Sequence, residues 1–412
     1  MSRQNVSVTT TTGGTFRFGM RRDLTRPDRT EHSDRVTYVE LLFDLIFVFA
    51  LTQLSAYLYG NQTFVGTLES AMLVLALWWI WSYTTWVTNL LDPARLPVRG
   101  IVIVLALFGL VMSMSIYESF GDRGIVFAIA YVSLQMVRTL FMVSATARHD
   151  RQMYRDFLRV LVWTSASGIF WIVGALVPIE LRLAFWLVAL GIEYLSAAIG
   201  FRVPGLDAAR VSEWELSGTH IAERSALFVL IAIGESFIVT GFAFVAQEAS
   251  VLGVVGVLLA FVGAVTMWWL YFDHGERAGA RAVEKIEKPG RIVRLAYTYV
   301  HAIIVAGIVL VSVADKEVLG HPEAAITAPL AIIIAGGPAL YLLGLSAFRW
   351  VVARELLVSH LVGIGMLVAT ALASPVFNVI TMFTVSTGIL VITAVWETTL
   401  RVRAGGDDPE AG

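Results

Sequence analysis

The sequence predicts an all-α integral membrane protein of about twelve spanning helices, probed by three observations: an apolar composition, recurrent long apolar runs, and a one-sided distribution of Lys and Arg. Hydrophobic residues make up 57% of the 412 and charged residues 15%, with a mean hydropathy of +0.74. A water-soluble fold has too little interior to hide that much apolar surface. Cysteine is absent, which excludes disulfides, thiolate metal sites, iron–sulfur clusters and a cysteine nucleophile. Residues 1–36 are polar and arginine-rich, with no apolar core before the first long run. That first run is therefore expected to act as an uncleaved signal anchor.

A bilayer core about 30 Å thick needs roughly 20 apolar residues of helix, and only helices and closed barrels satisfy the backbone there. The runs fall near 38–59, 65–86, 100–116, 124–145, 158–177 and 183–200, then 221–244, 251–272, 292–314, 325–347, 356–373 and 376–396. The third, sixth and eleventh are the shortest.

Lys and Arg near span ends are retained on the cytoplasmic side. Seven arginines precede the first run, while the short loop after it has none, and the alternation continues along the chain. Of the 30 basic residues, 25 fall on one side, three on the other (Arg123, Arg182, Lys316) and two inside spans (Arg138, Arg224). This places both termini in the cytoplasm and the chain in the inner membrane. The expected organisation is a disordered basic tail over 1–36, a first six-helix half over 37–200, a cytoplasmic linker over 201–220, a second half over 221–398 and a short disordered tail over 399–412. An even number of spans per half gives the halves the same orientation. Leu42-Phe43-Asp44-Leu45-Ile46 echoes Leu227-Phe228-Val229-Leu230-Ile231, and Trp78-Trp79 echoes Trp268-Trp269, as in the parallel repeats of some transporters.

Charges inside spans are expensive, so each marks a functional site or half of a structural pair. Glu40 and Asp44 share one face of the first helix, and Arg138 in the fourth span is expected at a similar depth. The trio is read either as a register-fixing salt bridge or as part of an ion path. His220, Glu223 and Arg224 open the seventh span, with Glu235 deep inside it and no basic residue within a turn. Glu193 in the sixth span is also deep, and Arg224 is one of its candidate partners. His301 in the ninth span is read either as a proton relay or as a hydrogen-bonded packing residue. Glu69 is expected to snorkel to the outer interface. Gly336-Gly337-Pro338 is expected either to break the tenth helix, exposing carbonyls, or to pack tightly. The tryptophan-rich stretch 78–86 and Trp268-Trp269 are expected to form interfacial belts.

The chain has no Walker A loop, no His-Glu-x-x-His, no Gly-x-Ser-x-Gly and no dinucleotide fingerprint, so no cofactor is expected and ATP-driven pumping is unsupported. No metal ligand set is specified. The basic tail is accounted for by orientation and anionic lipid, without nucleic acid. The expected partners are the bilayer and an unidentified ion or small solute. Oligomeric state is not specified.

The motif Val39-Glu40-Leu41-Leu42-Phe43-Asp44-Leu45-Ile46-Phe47-Val48-Phe49-Ala50-Leu51-Thr52-Gln53 resembles the bacterial low temperature requirement protein A family, LtrA. So do Glu193-Tyr194, Gly200-Phe201-Arg202-Val203-Pro204-Gly205, His220-Ile221-Ala222-Glu223-Arg224 through Ile233-Gly234-Glu235-Ser236, Trp268-Trp269-Leu270-Tyr271-Phe272-Asp273 and Gly336-Gly337-Pro338-Ala339-Leu340-Tyr341. The resemblance implies a multi-pass membrane protein with a role in growth at low temperature, and it carries no substrate or mechanism. The acidic Phe-Asp pattern and the two-times-six count also look similar to a family of potassium channels built from six-helix repeats, which adds weight to ion movement. Passage of an ion or small solute is thus the leading function. A membrane-embedded lipid-modifying enzyme, with Glu40 and Asp44 in acid–base work or on a divalent cation, is the alternative, followed by a sensor or scaffold.

Overall fold

The computed structural model describes residues 23–26, 36–203, 217–248, 250–276, 292 and 294–405. Most of the basic N-terminal tail, the linker from 204 to 216, the basic loop 277–291 and the C-terminal tail from 406 lie outside the described residues.

Apolar runs bounded by polar caps fold into twelve helices. In chain order they are α1 (Tyr38–Gly60), α2 (Phe64–Leu90), α3 (Leu96–Ser115), α4 (Gly124–Thr146), α5 (Arg151–Leu176) and α6 (Ile179–Ala198). They continue with α7 (Gly218–Val245), α8 (Val251–Trp269), α9 (Leu295–Gly320), α10 (Ala328–Ala353), α11 (Val358–Leu372) and α12 (Val379–Gly405). No strand forms among the described residues; only isolated bridges, Thr25 to Leu91 and Ala325 to Asn378, occur. Helix starts carry the side-chain acceptors that free N–H groups require: Thr63, Asp150, Ser217, Ser250 and Thr327 each accept from the first turn.

Eleven of these helices are long and apolar enough to span a bilayer, which makes the chain an all-α multi-pass membrane protein. The exception is α11. Its 15 residues span about 22 Å at 1.5 Å per residue, and Pro375 in the short turn after it stops the helix. The four boundaries that move most relative to the sequence expectation are these. Helix α5 starts at Arg151, and α10 runs to Ala353 and α12 to Gly405. Helix α9 runs on to Gly320, so Asp315 and Lys316 lie inside a helix that the sequence reading ends at Ala314.

Helix α9 is the axis of the bundle. Of its apolar stretch 78% is buried, against 39% for α3, α6 and α8. The outer helices expose stripes of large apolar side chains, such as Val254, Leu258 and Phe261 on α8, the surface a lipid solvent requires. The tryptophans of α2 do not form an interfacial belt. Trp78, Trp79, Trp81 and Trp86 are all buried between helices, and two of their indole N–H groups bond there: Trp78 Nε1 donates to Thr298 O (2.6 Å) and Trp81 Nε1 to Asp44 Oδ1 (2.8 Å). Trp268 and Trp269 do face outward.

Gly336-Gly337-Pro338 does not break α10, which is continuous through Pro338. Gly337 serves close packing on α9 instead, since a Cβ there would sit 3.0 Å from the backbone nitrogen of Val311. A Cβ on Gly344 would sit 2.9 Å from the backbone nitrogen of Ile304, and one on Gly307 2.6 Å from that of Tyr341. Gly344→Ile is therefore expected to lower stability by about 1–3 kcal/mol or more, as overpacking does. Gly336→Ala, whose nearest neighbour is 3.6 Å away, is expected to be silent. Thermal midpoints of the two variants in detergent check this, and equal midpoints would contradict the packing account.

Candidate functional site

Polar residues that single helices could not tolerate are gathered at two depths along α1, α7 and α9. At one end, the starts of α1 and α7 meet the end of α2. Glu40 reaches back to cap its own helix, accepting from Thr37 N (3.0 Å) and Thr37 Oγ1 (2.8 Å). Asp44, one turn on, is held by Arg224: Nε donates to Oδ2 at 3.2 Å and Nη2 to Oδ1. Arg224 Nη1 also donates to Thr88 Oγ1 (2.8 Å) and lies 3.9 Å from Glu40 Oε1. Asn89 is oriented by its exchange with Ser217, whose N–H it accepts and whose carbonyl it bonds, both at 3.0 Å. Its amide therefore donates to His220 Nδ1 (3.2 Å), and His220 Nε2 lies 3.1 Å from Glu40 Oε1 and 3.2 Å from Arg26 Nη2. Arg26 closes the set, 3.7 Å from Glu40 Oε1, carried there by the bridge of Thr25 to Leu91. Glu40, Asp44, His220 and Arg224 are all fully buried. Two carboxylates face two guanidinium groups, so this end is a closed, neutral network. Glu223 stands beside it, accepting from Val36 N (3.3 Å).

Arg138 is not the partner of Glu40 and Asp44. It donates to Thr84 Oγ1 (2.8 Å), Ile80 O (3.3 Å) and Gln135 Oε1 (3.2 Å), and its guanidinium lies 4.3 Å from the centre of the Tyr83 ring. Matched depth alone does not place two helices side by side, and α7 takes the position against α1. Glu193, likewise, does not meet Arg224. It accepts four hydrogen bonds, from Tyr131 O–H (2.7 Å), Gln135 Nε2 (2.7 Å), Trp171 Nε1 (2.9 Å) and Ser167 O–H (3.0 Å). Gln135 thus links the charge of Glu193 to that of Arg138 through one amide.

Deeper along the bundle lies a different arrangement. Glu235 of α7 and Asp315 of α9 are buried and electrostatically coupled to each other. Ser236 O–H donates to Asp315 Oδ2. Glu235 is within hydrogen-bonding reach of the hydroxyls of Thr52 and Ser55 on α1 and Ser312 on α9, and Ser312 Oγ lies 3.2 Å from Ser55 Oγ. Glu235 Oε1 and Asp315 Oδ1 have no hydrogen-bond partner, and neither carboxyl forms a salt bridge among the described residues. Glu235 is about 16 Å further along α7 than Arg224. Between the two depths Phe228 packs on Trp81 (4.5 Å), Trp78 (5.4 Å) and Phe47 (6.1 Å), an apolar plug separating the closed network from the paired carboxyls.

A family model described as bacterial low temperature requirement A protein (LtrA) matches residues 35–395. The chain belongs to the LtrA family. It is also similar to a protein of Rhizobium meliloti (strain 1021) described as uncharacterized, 37% identical over 372 residues that cover 90% of this chain and 91% of the relative. No solved structure matches the chain. The stretch matched by the LtrA family holds both polar depths, from Glu40 to Asp315.

Elsewhere in this LtrA-family chain, His301 has both ring nitrogens occupied. Nδ1 lies 2.9 Å from Ala296 O and so carries the proton, and Nε2 accepts from Tyr271 O–H at 2.9 Å. The Ala296 carbonyl also accepts the backbone N–H of His301, because α9 opens with a π-helical turn, Leu295–Val300. With Tyr297 stacked on it at 4.9 Å, the ring is a packing residue with a fixed tautomer. Glu69 is held by Tyr57 O–H. Two arrangements escape the sequence reading. Asp315 was placed beyond its span, although Ser312 and Asp315 share one helix face. His360 of α11 lies 3.0 Å from Glu397 of α12, which also accepts from Arg401 Nη2 (3.2 Å); Glu397 falls just past the expected end of the last span. Among the described residues no set of His, Asp and Glu side chains is arranged to hold a metal ion in a group of three or more.

Proposed function

We propose that this LtrA-family protein moves an ion or small solute across the inner membrane, with both termini in the cytoplasm. The observation that carries the reading is the pair Glu235 and Asp315: two buried carboxyls on α7 and α9, brought to one depth by the Ser236–Asp315 hydrogen bond, without a salt bridge among the described residues. Structural ion pairs satisfy themselves, as Asp44 and Arg224 do, whereas an uncompensated acid pair in a bundle core is the pattern of an ion path. The contribution to growth at low temperature that the family description names would follow from that flux. Glu40 and Asp44 do not favour the lipid-modifying reading, because both are fully buried, Asp44 is bonded by Arg224 and Trp81, and Glu40 caps its own helix with His220, Arg26 and Arg224 within 4 Å.

In proteoliposomes the wild type is expected to carry a measurable flux of protons or monovalent cations, and Glu235→Gln to reduce it by about tenfold or more, a loss of roughly 1.4 kcal/mol in transition-state stabilisation. A survey of protons, monovalent cations and common solutes that finds no flux in correctly folded wild type would remove the proposal.

A further inference from the structure

We propose that the space between Glu235 and Asp315 is a binding site for one small monovalent cation, Na⁺ being the best match, which enters in exchange for one proton. The inference rests on the passage reading for the route by which the cation arrives, and deepens it by naming what is bound.

The donor set is built from hard oxygen atoms on three helices: Glu235 from α7, Asp315 and Ser312 from α9, and Thr52 and Ser55 from α1. Hard cations choose such ligands. Two of those oxygens, Glu235 Oε1 and Asp315 Oδ1, are buried and lack any hydrogen-bond partner. An orphaned acceptor on each of two buried acids that, unlike Glu40, form no salt bridge among the described residues marks where a cation or a proton belongs.

Charge balance sets the stoichiometry. A net charge at this depth costs at least a few kcal/mol, so the site stays neutral in both states. Empty, it holds two protonated carboxyls. When the cation enters, one carboxyl O–H bond breaks, its proton leaves to water, and the new carboxylate oxygen takes the cation while the other acid keeps its proton. One cation replaces one proton, and no net charge moves.

No other ionisable group contests that proton at close range. Around Glu235 and Asp315, α1 offers the hydroxyls of Thr52 and Ser55, α7 Ser236 and α9 Ser312. Helix α8 carries no ionisable side chain, and in α10 the first is Tyr341. Towards the near helix ends, Lys316 lies over the Tyr59 ring (3.9 Å), Glu317 accepts from Gln62, and Glu69 accepts from Tyr57 O–H. A divalent cation would require both carboxylates and six or more oxygens. Here Asp315 Oδ2 is already taken by Ser236, which favours the monovalent ion.

The test is calorimetric titration of the detergent-solubilised full chain with NaCl, repeated in buffers of different ionisation enthalpy so that released protons are counted. The expected result is one Na⁺ bound and about one proton released per chain, with affinity falling about tenfold per pH unit below the point where the site begins to protonate. Of Glu235→Gln and Asp315→Asn, the one that removes the ionising carboxyl is expected to abolish binding and the other to weaken it, and the double variant to abolish it. Ser55→Ala, which leaves both acids in place, is expected to weaken it several-fold, so the assignment does not depend on acid variants that could misfold. Na⁺ binding and proton release without vesicle flux would uphold this site and remove the passage reading. Absence of binding by Na⁺, Li⁺ and K⁺ in folded wild type, binding with no proton released, or Ca²⁺ binding with two protons released would each overturn it, even where flux is observed.

Discussion

Arg224→Leu is expected to be the most destabilising substitution in the first polar cluster. It removes the cation that bonds both oxygens of Asp44 and stands 3.9 Å from Glu40, leaving a carboxylate buried without compensation. Breaking a buried pair by deleting one partner costs about 3–5 kcal/mol, a large share of a net stability of roughly 5–15 kcal/mol. The expected readout is loss of the monodisperse peak in detergent, or a thermal midpoint lowered by many degrees. Arg224→Lys keeps the charge but not the two-pronged geometry, and is expected to fall between. The companion variant decides the cause: Asp44→Leu combined with Arg224→Met replaces the pair with apolar groups, and is expected to recover most of the loss. It leaves Trp81 Nε1 short of a partner, at about 1–3 kcal/mol, while Thr88 Oγ1 keeps its bond to Thr85 O. A single variant as stable as wild type, or a double variant no better than the single, would refute the account.

Most of the fold was legible because lipid makes so few backbone solutions available. Apolar run length and charge placement therefore find helices without any knowledge of packing. The ends were less legible. Polar residues continue a helix past the apolar run, as Arg151 to Phe157 do in α5 and Asp315 to Gly320 in α9, and hydropathy falls before the helix stops. This is why Asp315 was missed while its partner Glu235 was found.

Pairing was the least legible property. Glu40, Asp44, Glu193, Glu235, Arg138 and Arg224 all stand out as charges in spans, yet depth says nothing about which helices are neighbours. For that reason the sequence sets Arg138 against Glu40 and Asp44 and offers Arg224 as one candidate for Glu193, whereas the bundle pairs Arg224 with Asp44 and holds Arg138 on Thr84 and Gln135. Nor does sequence distinguish an interfacial tryptophan from one whose indole bonds a buried acceptor. Trp81 belongs to the second kind because Asp44 sits opposite, a fact that only the assembled bundle supplies.

The two polar depths use opposite strategies, and Glu193 shows that a lone carboxylate also has a third. Four donors converge on it, so its charge is spread over hydrogen bonds rather than matched by a touching cation. Glu193→Leu is expected to strand Tyr131 O–H, Gln135 Nε2, Ser167 O–H and Trp171 Nε1 together. Each buried donor left unmade costs about 1–3 kcal/mol, and the group is not additive because Gln135 can turn toward Arg138. A loss of about 3 kcal/mol or more is therefore expected in detergent unfolding. Adding Ser167→Ala and Trp171→Phe to Glu193→Leu removes two of the stranded donors and is expected to restore part of that loss. The pattern separates a frame from a pathway: if Glu193→Leu leaves stability unchanged but abolishes vesicle flux, Glu193 belongs with Glu235 and Asp315 on the route, and the four donors are its gate rather than its support.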